Sequence, residues 1–354
     1  MKIEKGGIIN DFIEPNKKQY SIPVYQRNYE WSKEQCVKLF DDILLAHKKD
    51  RYHFTGSVVF APLKTEKKIE YYVVIDGQQR LTTIYILIKA LIDCAETERE
   101  KDTLLSAIYN VDKFSQYDID EASKLKLKPV KSDNKQLILL MDEKIGQMDK
   151  SSGIFRNYTL FCELIKKTLA ENEGFDVRNI YDGLEHLTCA TIRLDEDDNA
   201  QEIFERINST GVPLSLADKI RNFVLMTEVD QERLYEEYWL KIENLVGHDS
   251  LTTFFLDFLN IKVEGFPKED EAYEVFKKVF EVGYYTNESI LQEILHYAGL
   301  YHAFTKGDNR YSQEVNNYLS GLYKLNQTTV YLFLYKVFDD FHNQVIDQNM
   351  LEKV

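Results

Sequence analysis

The run Tyr71-Tyr72-Val73-Val74-Ile75 stops at Asp76-Gly77, and after it Leu81, Ile84, Tyr85, Ile88, Leu91 and Ile92 recur at helical spacing. A continuous apolar run of this length suits a strand buried on both faces, whereas the 3.6-residue period suits a helix packed along one stripe. Strand, tight turn and helix are therefore consecutive. A sheet must hand the chain through Asp76-Gly77 into a helix that begins near Gln78.

The flanking sequence supplies more strands before it turns helical. A strand is predicted over Gln19–Tyr25, then a helix from Ser32, where Ser32 and Gln35 have capping-box spacing and Val37, Phe40, Ile43 and Leu44 form the apolar face. Strands follow at His53–Ala61 and Glu70–Ile75, with another at Leu187–Leu194; Lys124–Val130 alternates Lys and Leu like a half-exposed strand. A helix is predicted over Asn199–Asn208, then a Gly-Val-Pro turn, then a helix opened by Ser215 and Asp218 that runs to about Met226. From about Glu228 the pattern is helical almost throughout, including Asn343–Val354, which has no Gly or Pro stop signal and suggests that the chain runs on. The expected architecture is α+β: a small mixed sheet with helices over residues 1–227, followed by an all-α domain over 228–354 that precedes a further domain.

With 44% hydrophobic and 13% aromatic residues, 354 residues can bury two cores. The net charge of -15 argues against a surface that is basic all over, though not against a local cationic cleft for nucleic acid. Cysteines 36, 94, 162 and 189 are too scattered for paired zinc-ligand spacing and too few for a disulfide scaffold, which points to a reducing compartment. The N-terminus lacks a signal-peptide core, and the most apolar stretch, Ile84–Ile92, is interrupted by Lys89. A cytoplasmic protein without a membrane span is expected.

Three segments can carry chemistry. At Ile75-Asp76-Gly77-Gln78-Gln79-Arg80, unpaired amides of a helix start meet a glycine that lets a ligand approach. Arg80 can grip phosphate oxygens, Thr82 and Thr83 add hydroxyls, and Gln78 and Gln79 can orient a water or read a base edge. Asp76 can hold a divalent cation. The same residues also fit an ordinary Asp-Gly turn with Arg80 paired to a local carboxylate. In the second segment, Ser21–Trp31, the aromatics Tyr25, Tyr29 and Trp31 with Gln26 and Arg27 can stack on a base and hold a phosphate, or simply fill the core. The third, Phe204–Ser215, has a sufficient structural account as a helix connection, with Asn208 ending its helix and Gly211 supplying a positive φ. Lys124, Lys126, Lys128 and Lys131 can touch DNA phosphates or form a solvated strand face.

In this order, Ile22-Pro-Val-Tyr-Gln-Arg-Asn-Tyr-Glu-Trp31, His53-Phe-Thr-Gly-Ser57, Ile75-Asp-Gly-Gln-Gln-Arg-Leu-Thr-Thr83, and Ile203–Leu214 with Asp218 resemble the N-terminal domain of GmrSD-type restriction enzymes. This GmrS-like family is related to ParB and sulfiredoxin, and the resemblance covers about the first 225 residues. It implies a ParB-like α+β domain whose Asp-Gly-Gln-Gln-Arg loop binds, and often hydrolyses, nucleoside triphosphate in the restriction of modified foreign DNA. Asp76, Gly77, Gln78, Gln79 and Arg80 then form the nucleotide site, with Tyr25, Gln26 and Arg27 beside it for nucleotide or modified-DNA recognition. Relatives commonly carry a C-terminal HNH nuclease domain. The seven histidines here, at 47, 53, 186, 248, 296, 302 and 342, do not form its metal pattern.

Three functions follow as expectations. The first is an NTP-dependent sensor in which Arg80 and Arg27 neutralise the transferring phosphoryl group, Mg²⁺ assists, and turnover switches an HNH nuclease on the same chain or a partner. The second is a binding module that holds nucleotide or DNA without turnover and recruits a separate nuclease. The third is a ParB-like nuclease using Asp76. Whether the protein forms a homodimer stays open.

Overall fold

The computed structural model describes every residue except 111–123, 196, 209–213, 227, 229, 264, 282–284, 326–327 and 354. Two compact units are present, Met1–Thr210 and Gly211–Val354. The division falls earlier than the expected break after residue 227, so the helix carrying Asp218 belongs to the second unit.

The first unit holds strands β1 (Lys2–Gly7), β2 (Lys18–Ser21), β3 (His53–Glu66), β4 (Ile69–Asp76), β5 (Leu127–Lys128) and β6 (Leu187–Arg193). Its helices are α1 (Lys33–Lys49), α2 (Gln78–Cys94), α3 (Glu98–Ile108), α4 (Lys131–Met141), α5 (Gly153–Glu171), α6 (Val177–Glu185) and α7 (Ala200–Asn208). The strands form one mixed sheet in the order β1-β6-β3-β4-β2-β5. β3 and β4 are an antiparallel hairpin, while β4 and β2 run parallel. The α+β reading stands: a mixed sheet with helices, then a region whose described elements are all helical.

Ser32 and Gln35 form the reciprocal capping box that opens α1. β4 lies inside the sheet, with Val74 and Ile75 buried. α2 packs on α5 and α3 and is buried on nearly every side from Leu81 to Ile92, Lys89 included. Such a helix can move only by disrupting the core, so its first turn is a fixed platform.

Three expectations are corrected. β2 ends at Ser21, not Tyr25, because Pro23 cannot donate to a ladder and Gln26 N–H turns back to the Pro23 carbonyl at 3.0 Å. Residues 343–354 do not continue the preceding helix. It ends at His342, Gln344 adopts φ 58°, and Val345 N–H returns to the Asp340 carbonyl at 2.8 Å, closing the helix as a glycine would. A single turn, Gln348–Leu351, follows.

The third correction concerns the lysine series. β5 contains only two residues, and Lys126 beside it is fully buried. Its ammonium donates to the carbonyls of Ile13 (3.0 Å), Glu14, Ser106 and Ala107 (each 2.9 Å). These oxygens belong to the ends of the short π-helical turn Ile9–Ile13 and of α3, where carbonyls lack helical partners and the helix dipole favours a cation. Burial lowers Lys126 to about 8, with Glu14 opposing. Lys126 therefore fastens two helix ends and is closed to DNA. Lys126→Met should cost roughly 3 kcal/mol by stranding buried acceptors, read as a lower urea midpoint at unchanged m-value; an unaltered midpoint would refute that role.

In the second unit the cores are aromatic: Trp239 stacks on Phe255 at 5.8 Å and Phe258 on Phe280 at 6.2 Å. Among the described residues, no helix is long and apolar enough to cross a membrane.

Candidate functional site: the β4–α2 junction

Asp76 closes β4 opposite Val59, and Gly77 takes φ 93°, ψ 3° as the residue before α2. A Cβ at Gly77 would lie 3.0 Å from Val58 Cγ2 and 3.1 Å from the Ser57 carbonyl, so only glycine fits both the turn and the neighbouring strand. Among the described residues, no side chain caps the first turn of α2. Its leading amides keep the unpaired donors that attract anions.

Arg80 lies one turn into α2 and reaches across to β3. There the β3–β6 register shifts between Phe54 and Ser57, and Gly56 adopts φ +103°. Arg80 Nη1 donates to the Ser57 carbonyl at 2.8 Å, and a Cβ on Gly56 would sit 2.8 Å from Nη2. The bulge thus makes room for a guanidinium. Burial pulls Arg80 below its ordinary value, with Asp76 opposing. Among the described residues, no carboxylate comes within ion-pair distance of Arg80, so the turn-plus-local-salt-bridge alternative does not describe it. Asp76 instead accepts a hydrogen bond from Ser57 Oγ at 3.2 Å.

The two glutamines are committed to the Ile22–Trp31 segment. Gln78 Nε2 donates to Gln26 Oε1 at 2.9 Å, and Gln26 Nε2 donates to the Ile75 carbonyl at 3.0 Å. Gln79 uses both ends of its amide: Nε2 donates to the Asn28 carbonyl at 2.9 Å and Oε1 accepts Glu30 N–H at 2.8 Å. These bonds hold the segment beside the helix start. Thr83 is fully buried, its hydroxyl bonded to the Gln79 carbonyl at 2.7 Å and to Tyr29 Oη at 2.8 Å; Thr82 is buried too.

Tyr25 and Gln26 are also buried, and Trp31 packs partly against the core. Arg27 is 17% exposed and pairs with Glu30 at 3.5 Å. The structure therefore brings Gln26, Arg27, Asp76, Gly77, Gln78, Gln79 and Arg80 together, while turning Thr83 inward. α7, with buried Phe204, packs on β4, the strand that ends at Asp76. Asp218 caps its helix through Ser215 and bonds Arg221 at 2.7 Å in the second unit. The Asn208 side chain, Gly211 and the Gly-Val-Pro turn lie outside the described residues.

Several supporting groups carried no recognisable signal. Asn157 on α5 donates to Tyr29 Oη (3.0 Å) and the Trp31 carbonyl (2.8 Å), and Asp133 on α4 accepts Tyr29 N–H at 2.7 Å. Each lies more than 100 residues from its partner, so only the fold reveals it. Gly56 and Ser57 lie in the His53–Ser57 motif, but no sequence interval marks their contact with Arg80.

A metal fits here in one way only. Among the described residues, no group of three His, Cys, Asp or Glu side chains is placed to hold an ion. The single carboxylate Asp76 suits Mg²⁺ that arrives with phosphates and keeps several waters, not a protein-built cage.

The bulged strand, glycine turn and uncapped helix start define an α+β protein with an under-bonded arginine at the end of its sheet. A model of the GmrSD restriction endonuclease N-terminal domain matches residues 9–225, and the chain belongs to that family. Membership implies a restriction, defence-related function and interaction with DNA. No curated protein matches the chain.

Burial raises Asp133 to about 6, with Glu30 adding to the rise and the Tyr29 N–H opposing it. The folded state thus holds this proton more tightly than the unfolded chain. The associated stability is complete below about pH 4 and is lost as pH rises through about 6. Asp133→Asn should abolish this loss, gaining up to roughly 3 kcal/mol on the parent between pH 4 and 7 in chemical denaturation; parallel curves would refute the assignment.

Proposed function

We propose that the start of α2 binds the phosphates of a nucleoside triphosphate and that its hydrolysis drives a restriction response to modified foreign DNA. The observation that carries this reading is Arg80, a largely buried guanidinium with five N–H donors and one hydrogen bond among the described residues. A polyphosphate would occupy the remaining donors and the uncapped amides beside Gly77 together. Asp76 would hold Mg²⁺ carried in with the nucleotide, which supplies charge neutralisation. Arg27 is the second cation available, since its pairing with the more exposed Glu30 is long at 3.5 Å. On the DNA side, Arg27 and Trp31 retain accessible surface, whereas buried Tyr25 and Gln26 shape the segment. Strand cleavage is assigned to an HNH nuclease on a continuing chain or a partner.

A second reading, binding without turnover, is favoured by one feature: both ends of the Gln79 amide and the Nε2 of Gln78 are engaged in holding the neighbouring segment rather than a water. A nucleotide panel with and without modified DNA separates these possibilities. Arg80→Ala should lower turnover roughly 100-fold or more while the chain stays folded. Gly56→Ala should reproduce part of that loss, because its methyl group displaces the guanidinium. Saturable binding with no product would establish the second reading, undiminished hydrolysis by Arg80→Ala would remove the site assignment, and plasmid nicking by the chain alone would favour a nuclease.

A further inference from the structure

A further acidic group reaches the junction from the turn that follows β1. β1 runs antiparallel to β6, β6 parallel to β3, β3 antiparallel to β4, and β4 parallel to β2, so β1, β2 and β4 all point the same way. Their C-terminal ends therefore share one side of the sheet, the side at which open α/β sheets hold ligands. β4 delivers Asp76–Arg80 there, β2 delivers the Ile22–Trp31 segment, and β1 delivers the turn Ile9–Ile13. Buried Ile9, Phe12 and Ile13 anchor this turn, with Phe12 edge-on to Phe60 at 5.3 Å. The half-buried Asp11 between them uses its main-chain carbonyl to accept from Tyr20 Oη at 3.1 Å, whereas among the described residues no hydrogen bond or ion pair engages its carboxylate. That carboxylate lies over Gly6, where a Cβ would run into it. Gly6 pairs with Cys189, and the β3 bulge sets Thr55 and Gly56 against the same Cys189. One row across three strands thus carries the Asp11 carboxylate over its first glycine and the Arg80 guanidinium over its last, about 10 Å apart by two strand spacings. The Cys189 thiol between them is acted on by both, Arg80 drawing it down and Asp11 pushing it up.

We propose that Asp11 is the sugar-binding residue of this site, accepting hydrogen bonds from the ribose 2′- and 3′-hydroxyls and so selecting ribonucleotides over deoxyribonucleotides. The inference rests on the reading of Arg80 as a phosphate ligand. An ionised carboxylate only accepts hydrogen bonds, so it repels phosphate and matches a pair of hydroxyl donors. Its separation from Arg80 is too long for an ion pair and suits the stretch of a nucleotide from its outer phosphates to its sugar. Acidic side chains hold ribose hydroxyls in the same way in dinucleotide-binding folds. Selectivity follows from desolvation: a deoxyribose leaves one carboxylate oxygen without a donor, and the loss of one such charged hydrogen bond weakens binding roughly 10- to 100-fold.

The test measures binding and turnover of the four ribonucleoside triphosphates and their 2′-deoxy counterparts by the intact chain with Mg²⁺. The parent should prefer the ribonucleotide of its best pair roughly 10-fold or more. Asp11→Ala should erase that preference by weakening the ribonucleotide to the level of the deoxy form, with the loss in KM rather than kcat. Gly6→Ala should copy the effect, because its methyl group displaces the carboxylate. Equal binding of both sugars by the parent, or a preference that survives Asp11→Ala, would overturn the proposal and leave the Arg80 reading standing. A parent that binds no nucleotide would overturn both. The parent's own sugar preference is read on the unmodified sequence, so the proposal stays testable even if a variant fails to fold.

Discussion

Burying a guanidinium against a sheet is the constraint around which the first unit is organised. Arg80 requires space on β3, which the bulge and Gly56 provide, and an acceptor, which the Ser57 carbonyl provides. It also requires that α2 begin immediately after β4, which Gly77 permits through its positive φ. Moving any one of these would leave a cation in a low-dielectric interior without compensation. Among the described residues it retains one hydrogen bond, few for a group with five donors.

The glutamines of the same loop work differently. Gln78 and Gln79 join the helix start to the Ile22–Trp31 segment through a lattice that includes Gln26, Asn28 and Glu30. Asn157 and Asp133 extend it to α5 and α4. Because Gln26, Gln78, Gln79, Asn157 and Asp133 are buried, removal of one of them leaves buried partners unsatisfied. Residues whose types suggest water activation are thus engaged in holding the Ile22–Trp31 segment to the helix start.

Lys126 shows the same economy in a structural setting. Alternating Lys and Leu looks like a strand with one wet face, yet the ladder there lasts only two residues and the lysine turns inward to collect carbonyls from two helix ends. Local alternation cannot reveal this, because the acceptors come from Ile13 and Ser106, far apart along the chain.

What the sequence by itself determined is local and periodic. The buried β4 run, the Asp76-Gly77 turn, the capping boxes at Ser32 and Ser215, and the helical second half all follow from side-chain spacing and backbone preference within a few residues. The linked motifs between Ile22 and Asp218 also carry the family resemblance. Only the tertiary structure decided that Thr83 faces inward, that Gln79 is spent on Asn28 and Glu30, that Arg80 rests on the Ser57 carbonyl, and that Lys126 is buried. The reason is that hydrogen bonding and desolvation are settled by whichever distant groups the packing brings within about 3 Å, a distance no sequence interval encodes.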